Sequence, residues 1–307
     1  MRVSILGAGV IGGIISSQLV ESEHEIHLHV RGENGALLQL QGLTLGGIQE
    51  GNIPPEKFLI TFDEFDIPPS LKHQSGIILI TSKAYQIESL IPIARYLLQP
   101  GGLVVCCSNG LGHYEMLCQA FGIHSVCIGV TTLAGYRSVG HELMWVNHGM
   151  FKFAPATMDN PNVVQLLDMF KKCHFTVEQT DDVVELMWEK ALLNLCINPL
   201  AALAGVTNGE LLSPSLFTTC MAVYQEIRMV GSHYGVAIQD ELIFESLLRT
   251  VLEQTTHNEC SMLQDVKHGR RTEIDELNGY IVQLAERLGL TAPLNQLLTA
   301  LIRACHP

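Results

Sequence analysis

The chain has 307 residues, 47% hydrophobic and 16% charged, and its net charge of −13 would repel a nucleic-acid backbone unless a basic patch overrode it. The densest basic run, Lys267–Arg271, is short and lacks interleaved aromatic residues, so we expect no nucleic-acid partner. This composition is typical of a well-buried globular protein, and the length predicts two domains of medium size.

The cysteines and apolar segments favour an intracellular protein. None of the nine cysteines forms a Cys-x-x-Cys pair and the 13 histidines show no ligand spacing, so we predict reduced thiols, no metal and a cytoplasmic location. Glycines break the apolar N-terminal run and no cleavage site follows it, which argues against a signal peptide. No segment has a clean membrane-spanning length, so we expect no membrane partner.

The chain begins with a dinucleotide-binding pattern. A short buried strand, Val3–Leu6, runs into Gly7-Ala8-Gly9-Val10-Ile11-Gly12, and a helical pattern follows through Val20. Between a strand and a helix, Gly-x-Gly-x-x-Gly permits a tight turn, lets a pyrophosphate approach the backbone and lets the helix pack closely on the strand. These six residues are therefore predicted to bind a dinucleotide.

Arg31 follows the second predicted strand, Glu25–Val30, at the point where NAD-specific sites usually place Asp or Glu for the ribose 2′-hydroxyl. A guanidinium there would pair with a 2′-phosphate, which favours NADP(H) as the cofactor. The alternative is an exposed loop arginine.

Two continuously apolar stretches, Gly76–Thr81 and Leu103–Cys107, predict parallel strands on either side of a helix at about 85–98. Lys83 and Asn109 follow these strands at the carboxyl ends, where open α/β sheets bind ligands. A surface lysine and a turn asparagine are the alternatives. Two strands at 125–132 and 142–147 with a hairpin component, a helix at 161–172 and a strand at 174–178 complete this part.

Strand patterns end near residue 181. Helical windows follow at about 182–204, 215–234, 239–257, 260–268, 273–288 and 293–304. The predicted fold is α/β, with an N-terminal Rossmann-type dinucleotide-binding domain at 1–180 and an all-helical C-terminal domain at 181–307. The apolar helical domain would tolerate a homodimer interface, although no pattern locates one.

The first helical window contains a polar stripe. Lys190, Asn194 and Asn198 are four residues apart in an apolar run, which places them along one face of a helix. Pro199 cannot donate to the carbonyl of Leu195 and should bend the helix there. The stripe either consists of satisfied core amides with a lysine that reaches solvent, or faces a ligand cleft.

Thr272–Asp275 reads as a capping box, with Thr272 at the cap and Glu273 in the first helical turn. We expect Ile274, Leu277, Ile281 and Leu284 to form the buried face of that helix. Glu273 would interact with the helix dipole, or it would reach into a ligand cleft beside that face.

The whole chain resembles the ketopantoate reductase family. The resemblance runs, in order, through Gly7–Gly12, Arg31, Thr81–Gln86, Ser108–Gly112, Gly129–Thr132, Trp188–Asn194, Ile197–Leu200, Asn208–Glu210, Ser261–Asp265 and Arg271–Asp275. It implies an NADPH-dependent enzyme that reduces 2-dehydropantoate to pantoate in pantothenate synthesis.

The resemblance also implies the roles of individual residues. It makes Lys190 the catalytic lysine and Glu273 its partner acid. The substrate-binding positions are Asn109, Asn194, Asn198 and Ser261. Asn109 is in addition a cofactor residue, and Lys83 is a further cofactor residue. Cys260 departs from the family, because many members have a second serine there.

Three other functions stay open at this stage. A paralogue could reduce a different small 2-oxo acid, and an NAD-linked dehydrogenase could share the two-domain build. A non-catalytic NADP(H) sensor is the third, although a sensor has no need of a proton donor.

Overall fold

The computed structural model describes residues 1–62, 66–138 and 142–305, apart from the side chains of residues 33 and 34. The chain divides into two compact units, Met1–Ser108 with His113–Val183 and Asn109–Gly112 with Val184–Pro307. The first unit combines a mainly parallel sheet with helices, and the second is helical. The predicted α/β fold class is therefore confirmed.

Strands of the first unit form two sheets. In chain order they are β1 (Arg2–Leu6), β2 (Glu25–His29), β3 (Leu43–Gly47), β4 (Gly51–Ile53), β5 (Leu59–Thr61), β6 (Ser75–Ile80), β7 (Leu98–Cys106), β8 (Val126–Thr131), β9 (Ala134–Arg137), β10 (Leu143–Asn147), β11 (Met150–Pro155) and β12 (Thr176–Gln179).

The larger sheet has the order β12-β11-β8-β7-β6-β1-β2-β5 and is parallel except between β8 and β11. Every residue of β6 is buried, as expected for an apolar strand in the middle of a covered parallel sheet. The smaller sheet has the order β4-β3-β10-β9, and the strand predicted at 142–147 forms an antiparallel pair with β9, for which no strand was predicted.

Helices of the first unit connect these strands. They are α1 (Val10–Leu19), α2 (Gly32–Gln41), α3 (Ile87–Leu97), α4 (His113–Phe121) and α5 (Pro161–Lys172). Asn160 caps α5 by accepting a hydrogen bond from the Asn162 amide, and Pro161 fits the first helical position because that N–H has no helical partner.

A row of buried polar side chains crosses four neighbouring strands of the large sheet. The Ser4 hydroxyl lies 2.6 Å from the Ser75 hydroxyl and 2.8 Å from Nδ1 of His27. The Thr61 hydroxyl lies 2.8 Å from Nε2 of His27 and 3.0 Å from Nδ1 of His29. Burial, with a smaller effect of His29, lowers the pKa of His27 to about 3, so this ring is neutral at ordinary pH.

The second unit contains α6 (Val183–Ala204), α7 (Pro214–Tyr234), α8 (Glu241–Gln254), α9 (Ser261–Lys267), α10 (Asn278–Arg287) and α11 (Pro293–Cys305). Each predicted helical window contains one of these helices. Across the described residues, no helix is both long and apolar enough to cross a membrane.

The predicted capping box at Thr272 is wrong. Residues 273–277 form turns, and α10 begins only at Asn278. The carboxylate that should have closed the box belongs to Asp275, and it accepts instead from Nε of Arg303 at 2.7 Å. The Ile274 carbonyl accepts from the amide of Gly279 at 2.9 Å, which holds a turn rather than a first helical turn.

The buried face predicted for this segment is confirmed. Ile274, Leu277, Ile281 and Leu284 are all at most 3% exposed. A capping box does occur in this unit, at Thr207, which exchanges hydrogen bonds with Glu210 at the start of a short 3-10 helix. Part of the Asn208–Glu210 motif therefore has a structural function.

Candidate functional site

A glycine loop joins β1 to α1, and its glycines differ in their backbone conformation and in the space around them. Gly7 has a φ of +105°, which residues other than glycine rarely adopt. A Cβ on Gly12 would collide with the Gly7 carbonyl and the Thr81 hydroxyl, so this glycine lets α1 pack against the strand end. Among the described residues, a Cβ on Gly9 would meet no heavy atom within 4 Å. The loop is thus closely packed on one side and open at Gly9.

The start of α1 has the properties of an anion site. Gly9 occupies the N-cap position and offers no side-chain cap, so the first amides of the helix have no side-chain partner at that position. Ala8, Val10 and Ile11 are half-buried beside it. The open Gly9 position and the uncapped helix start fit a dinucleotide pyrophosphate, which these amides would hold.

Arg137 contacts this loop although the sequence pattern did not single it out. Its Nη2 atom donates to the Ala8 carbonyl at 2.9 Å, and burial lowers the pKa of its guanidinium. It comes from β9, more than a hundred residues along the chain, so no local spacing could connect it with the loop.

Arg31 lies exposed immediately before α2, near the carboxyl end of β2. Its Nη1 atom donates to the Ser89 hydroxyl at 3.2 Å, and that hydroxyl donates in turn to the Gln86 carbonyl at 2.8 Å. The guanidinium is therefore directed toward the first turn of α3. Ser89 is a second residue that the sequence pattern did not reveal.

The segment after β6 is joined to the segment after β7. The Ser108 hydroxyl donates to the Ser82 carbonyl at 2.7 Å, and Lys83 follows as a half-buried residue. Its carbonyl accepts from the amide of Gln86 at 2.9 Å, which starts the turn into α3. Lys83 thus lies at the carboxyl end of the sheet, where the sequence predicted it.

Asn109 belongs to the second unit, although it lies within the range predicted for the first domain. The cause is a tight backbone contact: the Leu111 amide donates to the Glu276 carbonyl at 2.8 Å. Gly110 has a φ of +100°, and a Cβ there would approach the same carbonyl to 2.9 Å. The half-buried Asn109 therefore shares a unit with the polar stripe of α6.

All three residues of that stripe lie on α6, as the spacing predicted. Lys190 and Asn194 are half-buried and Asn198 is 5% exposed. The stripe thus becomes more buried along the helix toward Pro199, and its lysine end is nearer to solvent.

The start of α9 is connected to the buried end of the stripe. Cys260 caps α9, accepting from the Leu263 amide at 3.4 Å, and its thiol donates to the Asn198 carbonyl at 3.6 Å. Burial raises the pKa of Cys260 to about 11, so the sulfur stays protonated and can donate. Ser261 follows as the exposed first residue of α9.

Glu273 is buried, with 5% of its surface exposed, in the turn before α10. It therefore lies outside the first helical turn that the sequence predicted for it. A carboxyl group at this depth requires hydrogen-bonding or charged partners within the protein.

The predicted residues fall into two groups. The glycine loop, Arg31 and Lys83 belong to the first unit, whereas Asn109, the α6 stripe, Ser261 and Glu273 belong to the second. No group of three or more His, Cys, Asp or Glu side chains among the described residues is arranged to hold a metal ion.

Comparisons with known proteins cover nearly the whole chain. Residues 3–157 match the family described as ketopantoate reductase PanE/ApbA, and residues 182–306 match its C-terminal part. A 2-dehydropantoate 2-reductase of Archaeoglobus fulgidus is 30% identical over 98% of this chain and 97% of its own length.

Solved structures show a similar fold. A PanE/ApbA family ketopantoate reductase from Ralstonia eutropha superposes with a TM-score of 0.86 at 25% identity, covering 99% of this chain and 98% of that one. The ternary structure of D-mandelate dehydrogenase with NADH and anilino(oxo)acetate has a TM-score of 0.90 at 21% identity and the same coverage. At that identity the second likeness is one of fold alone.

Proposed function

Because the chain belongs to the ketopantoate reductase PanE/ApbA family, we propose that it catalyses the NADPH-dependent reduction of 2-dehydropantoate to pantoate, a step of pantothenate synthesis. The single observation that carries this proposal is the similarity to a 2-dehydropantoate 2-reductase over almost the full length of both chains. The protein is thus an oxidoreductase that acts on a small keto acid.

The first unit supplies the cofactor contacts of this proposal. The amides of Gly7–Gly12 would hold the pyrophosphate, the Arg31 guanidinium would pair with the 2′-phosphate, and Lys83 would be a further cofactor contact. NADPH, when bound, supplies the hydride. The open space at Gly9 and the uncapped start of α1 support this assignment.

Lys190 is the proton donor of the proposed reaction. Reduction of a 2-oxo group leaves negative charge on its oxygen, and the Lys190 ammonium stabilises that charge and then protonates the oxygen from Nζ. The half-buried position of Lys190 supports this function, because partial exclusion of water strengthens the interaction between the ammonium and the developing charge.

The other residues bind and orient the substrate. The amides of Asn194 and Asn198 and the Ser261 hydroxyl donate hydrogen bonds to the substrate's carboxylate and hydroxyl oxygens, and Asn109 positions the substrate near the nicotinamide. The buried Glu273 carboxylate would act as the acid partner of Lys190 and accept a hydrogen bond from a substrate hydroxyl.

Lys190→Ala tests the mechanism directly. We expect kcat to fall by roughly 10²- to 10⁴-fold, the usual contribution of a positioned general acid, while the dissociation constant of NADPH changes little. NADPH oxidation with 2-dehydropantoate, followed at 340 nm, measures the first quantity and fluorescence titration the second. Lys171→Ala, at an exposed position of α5, is the control. Near-normal turnover of Lys190→Ala would refute the mechanism.

Substrate preference is tested with a panel of branched and bulky 2-oxo acids. We expect the highest kcat/KM with 2-dehydropantoate. A higher value with another 2-oxo acid would make the protein a paralogue with a different substrate. Absence of turnover on the whole panel, combined with tight NADPH binding, would indicate a sensor.

Two expectations about the enzyme in the cell complete the proposal. Nine cysteines without a Cys-x-x-Cys pair support a reducing compartment, so we place the enzyme in the cytoplasm, which cell fractionation tests. We also propose a homodimer, in line with the apolar composition of the helical region. Light scattering over a range of protein concentrations measures this state.

A further inference from the structure

Pro199 leaves a gap in the hydrogen bonds of α6. The helix continues through this proline to Ala204. Proline has no N–H, so the carbonyl of Leu195 lacks the partner that it would have four residues later. Leu195 is 0% exposed, so water does not cover its side chain, and the carbonyl needs a donor from within the protein.

Asn278 provides that donor. It is the first residue of α10, is 0% exposed, and its Nδ2 atom donates to the Leu195 carbonyl at 3.1 Å. The second hydrogen of the same Nδ2 is directed to Oδ1 of Asn295 at 2.9 Å. One amide group thus bridges α6 and α11 from the start of α10.

The orientation of the Asn278 amide is fixed by Glu226. An ionised carboxylate only accepts hydrogen bonds. Glu226 accepts from Nδ2 of Asn295 at 2.9 Å and from the backbone amides of Leu294 and Asn295 at 2.8 and 3.0 Å. Asn295 must therefore turn its oxygen toward Asn278, and Asn278 must present its NH₂ group to both neighbours.

The bridged carbonyl lies within the polar stripe. Leu195 is adjacent to Asn194 and three residues before Asn198, and Asn278 directly follows the turn that contains Glu273. A hydrogen bond therefore connects the proline-containing part of α6, the helix that carries Lys190, to the residue that directly follows the turn of Glu273.

We propose that Asn278 is a positioning residue, which holds α6 at its proline so that the stripe of Lys190, Asn194 and Asn198 keeps its register relative to Glu273. This inference rests on the proposed function of those residues. Asn278 acts through the backbone of α6 and touches neither substrate nor cofactor.

Pro199→Ala allows a sharp test, because alanine at this position restores an N–H within reach of the Leu195 carbonyl. We compare Asn278→Leu, Pro199→Ala and the double variant with the wild type. Asn278→Leu should lower kcat at least tenfold with an unchanged NADPH dissociation constant. The double variant should recover most of this loss, since α6 then satisfies its own carbonyl.

Asn295→Leu is the matched control. It also removes a buried amide of the network, but Asn278 keeps its own NH₂ group, for which the Leu195 carbonyl remains as an acceptor. We expect it to lower the melting temperature to a similar degree with a much smaller loss of kcat. Pro199→Ala should not improve Asn295→Leu.

Amide hydrogen exchange of residues 190–200 provides a readout that is independent of activity. Exchange should be faster in Asn278→Leu and return toward the wild-type rate in the double variant. If Asn278→Leu alone does not fold, Asn278→Ala, which removes the donor with a smaller side chain, takes its place in both measurements.

The proposal would be overturned by an unchanged kcat in the Asn278 variant, by a kcat loss that Pro199→Ala does not relieve, or by hydrogen exchange in α6 that does not respond. If the wild type fails to reduce 2-dehydropantoate, the proposed substrate is wrong, and kcat is then measured with the 2-oxo acid that the wild type reduces. Lack of turnover on every 2-oxo acid also overturns it, whereas the exchange result still reports on the bond itself.

Discussion

Arg31 is exposed, yet its guanidinium is held by a hydrogen bond of 3.2 Å to the Ser89 hydroxyl. A flexible arginine loses side-chain entropy when it binds a phosphate, and a partner that already restricts it reduces that loss. Ser89 would therefore help Arg31 to bind a 2′-phosphate without contacting the phosphate itself.

Arg31→Ala is expected to weaken NADPH binding by about 10- to 100-fold, the usual effect of losing a charge-assisted hydrogen bond, and to leave NADH binding nearly unchanged. Ser89→Ala should weaken NADPH binding relative to NADH binding by a few-fold, and Ser89→Thr should restore the wild-type ratio of the two dissociation constants. Fluorescence titration with both cofactors measures the ratio. Equal losses for NADPH and NADH would contradict this function of Arg31.

Individual residues were predictable where a local pattern exposed them. The glycine loop, Arg31 and the α6 stripe each follow from spacing or from position after a strand. Ser89, Arg137 and Asn278 act through partners far away in sequence, and spacing carries no such information. One signal was available for Asn278, because a proline inside an apolar helix requires a donor from elsewhere.

At the scale of elements, the β1–α1 connection offers a matched pair of glycines. Gly12 is enclosed by the Gly7 carbonyl and the Thr81 hydroxyl, whereas a Cβ at Gly9 would have no atom of the described residues within 4 Å. Gly9 also has a φ of −68°, which alanine adopts readily. The two positions therefore separate the packing of the loop from its access to a ligand.

Gly12→Ala is expected to lower the free energy of unfolding by about 1–3 kcal/mol through overpacking. Gly9→Ala should leave that free energy nearly unchanged but weaken NADPH binding about tenfold or more, an effect of at least ~1.4 kcal/mol, because its methyl group enters the space assigned to the pyrophosphate. Urea denaturation and cofactor titration measure the two effects. Normal NADPH binding by Gly9→Ala would place the pyrophosphate elsewhere.

Long elements were easier to predict than short ones. The helices of the second unit and the central strands have strong periodicity or continuous apolar runs, and each lies in its predicted region, with ends that differ by at most five residues. No prediction was made for β3, β4, β5, β9 or β11, several of which have only three to five residues. Such strands are specified by pairing with neighbours more than by their own pattern.

The segment before α10 shows how tertiary contacts override a local signature. Thr272–Asp275 has the residues of a capping box, but Arg303 of α11 binds the carboxylate that the box requires. Glu273 is consequently placed in a turn. Its burial was foreseeable from the apolar residues that follow it, but its backbone conformation was not.

At the scale of the whole molecule, two buried histidines couple stability to pH. Burial lowers the pKa of His27 to about 3 and that of His113 to about 4. Neither ring nitrogen of His113 has a hydrogen-bond partner among the described residues. Both histidines have a pKa of about 6.5 in an unfolded chain, so the unfolded state binds more protons between that pH and the folded pKa values.

The free energy of unfolding should therefore have its full value above about pH 6.5 and decrease as the pH falls toward 4 and then 3. At pH 5 each histidine accounts for a loss of about 2 kcal/mol. Urea denaturation at pH 7.5 and pH 5 measures the total loss. His113→Leu should reduce it by about half, and an unchanged difference between the two pH values would exclude His113 as a cause.

The assignment of Asn109–Gly112 to the second unit has a consequence for chain connectivity. The polypeptide passes between the two units three times, after residues 108, 112 and 183. Proteolytic cleavage near residue 183 would therefore leave the fragments still joined through the Leu111 segment, by its hydrogen bond to Glu276. A fragment that ends at this point and is expressed alone would instead expose Leu111, which is only 4% exposed in the intact chain. The first unit is thus not an independent domain that could be exchanged between proteins by joining the chain at a single position.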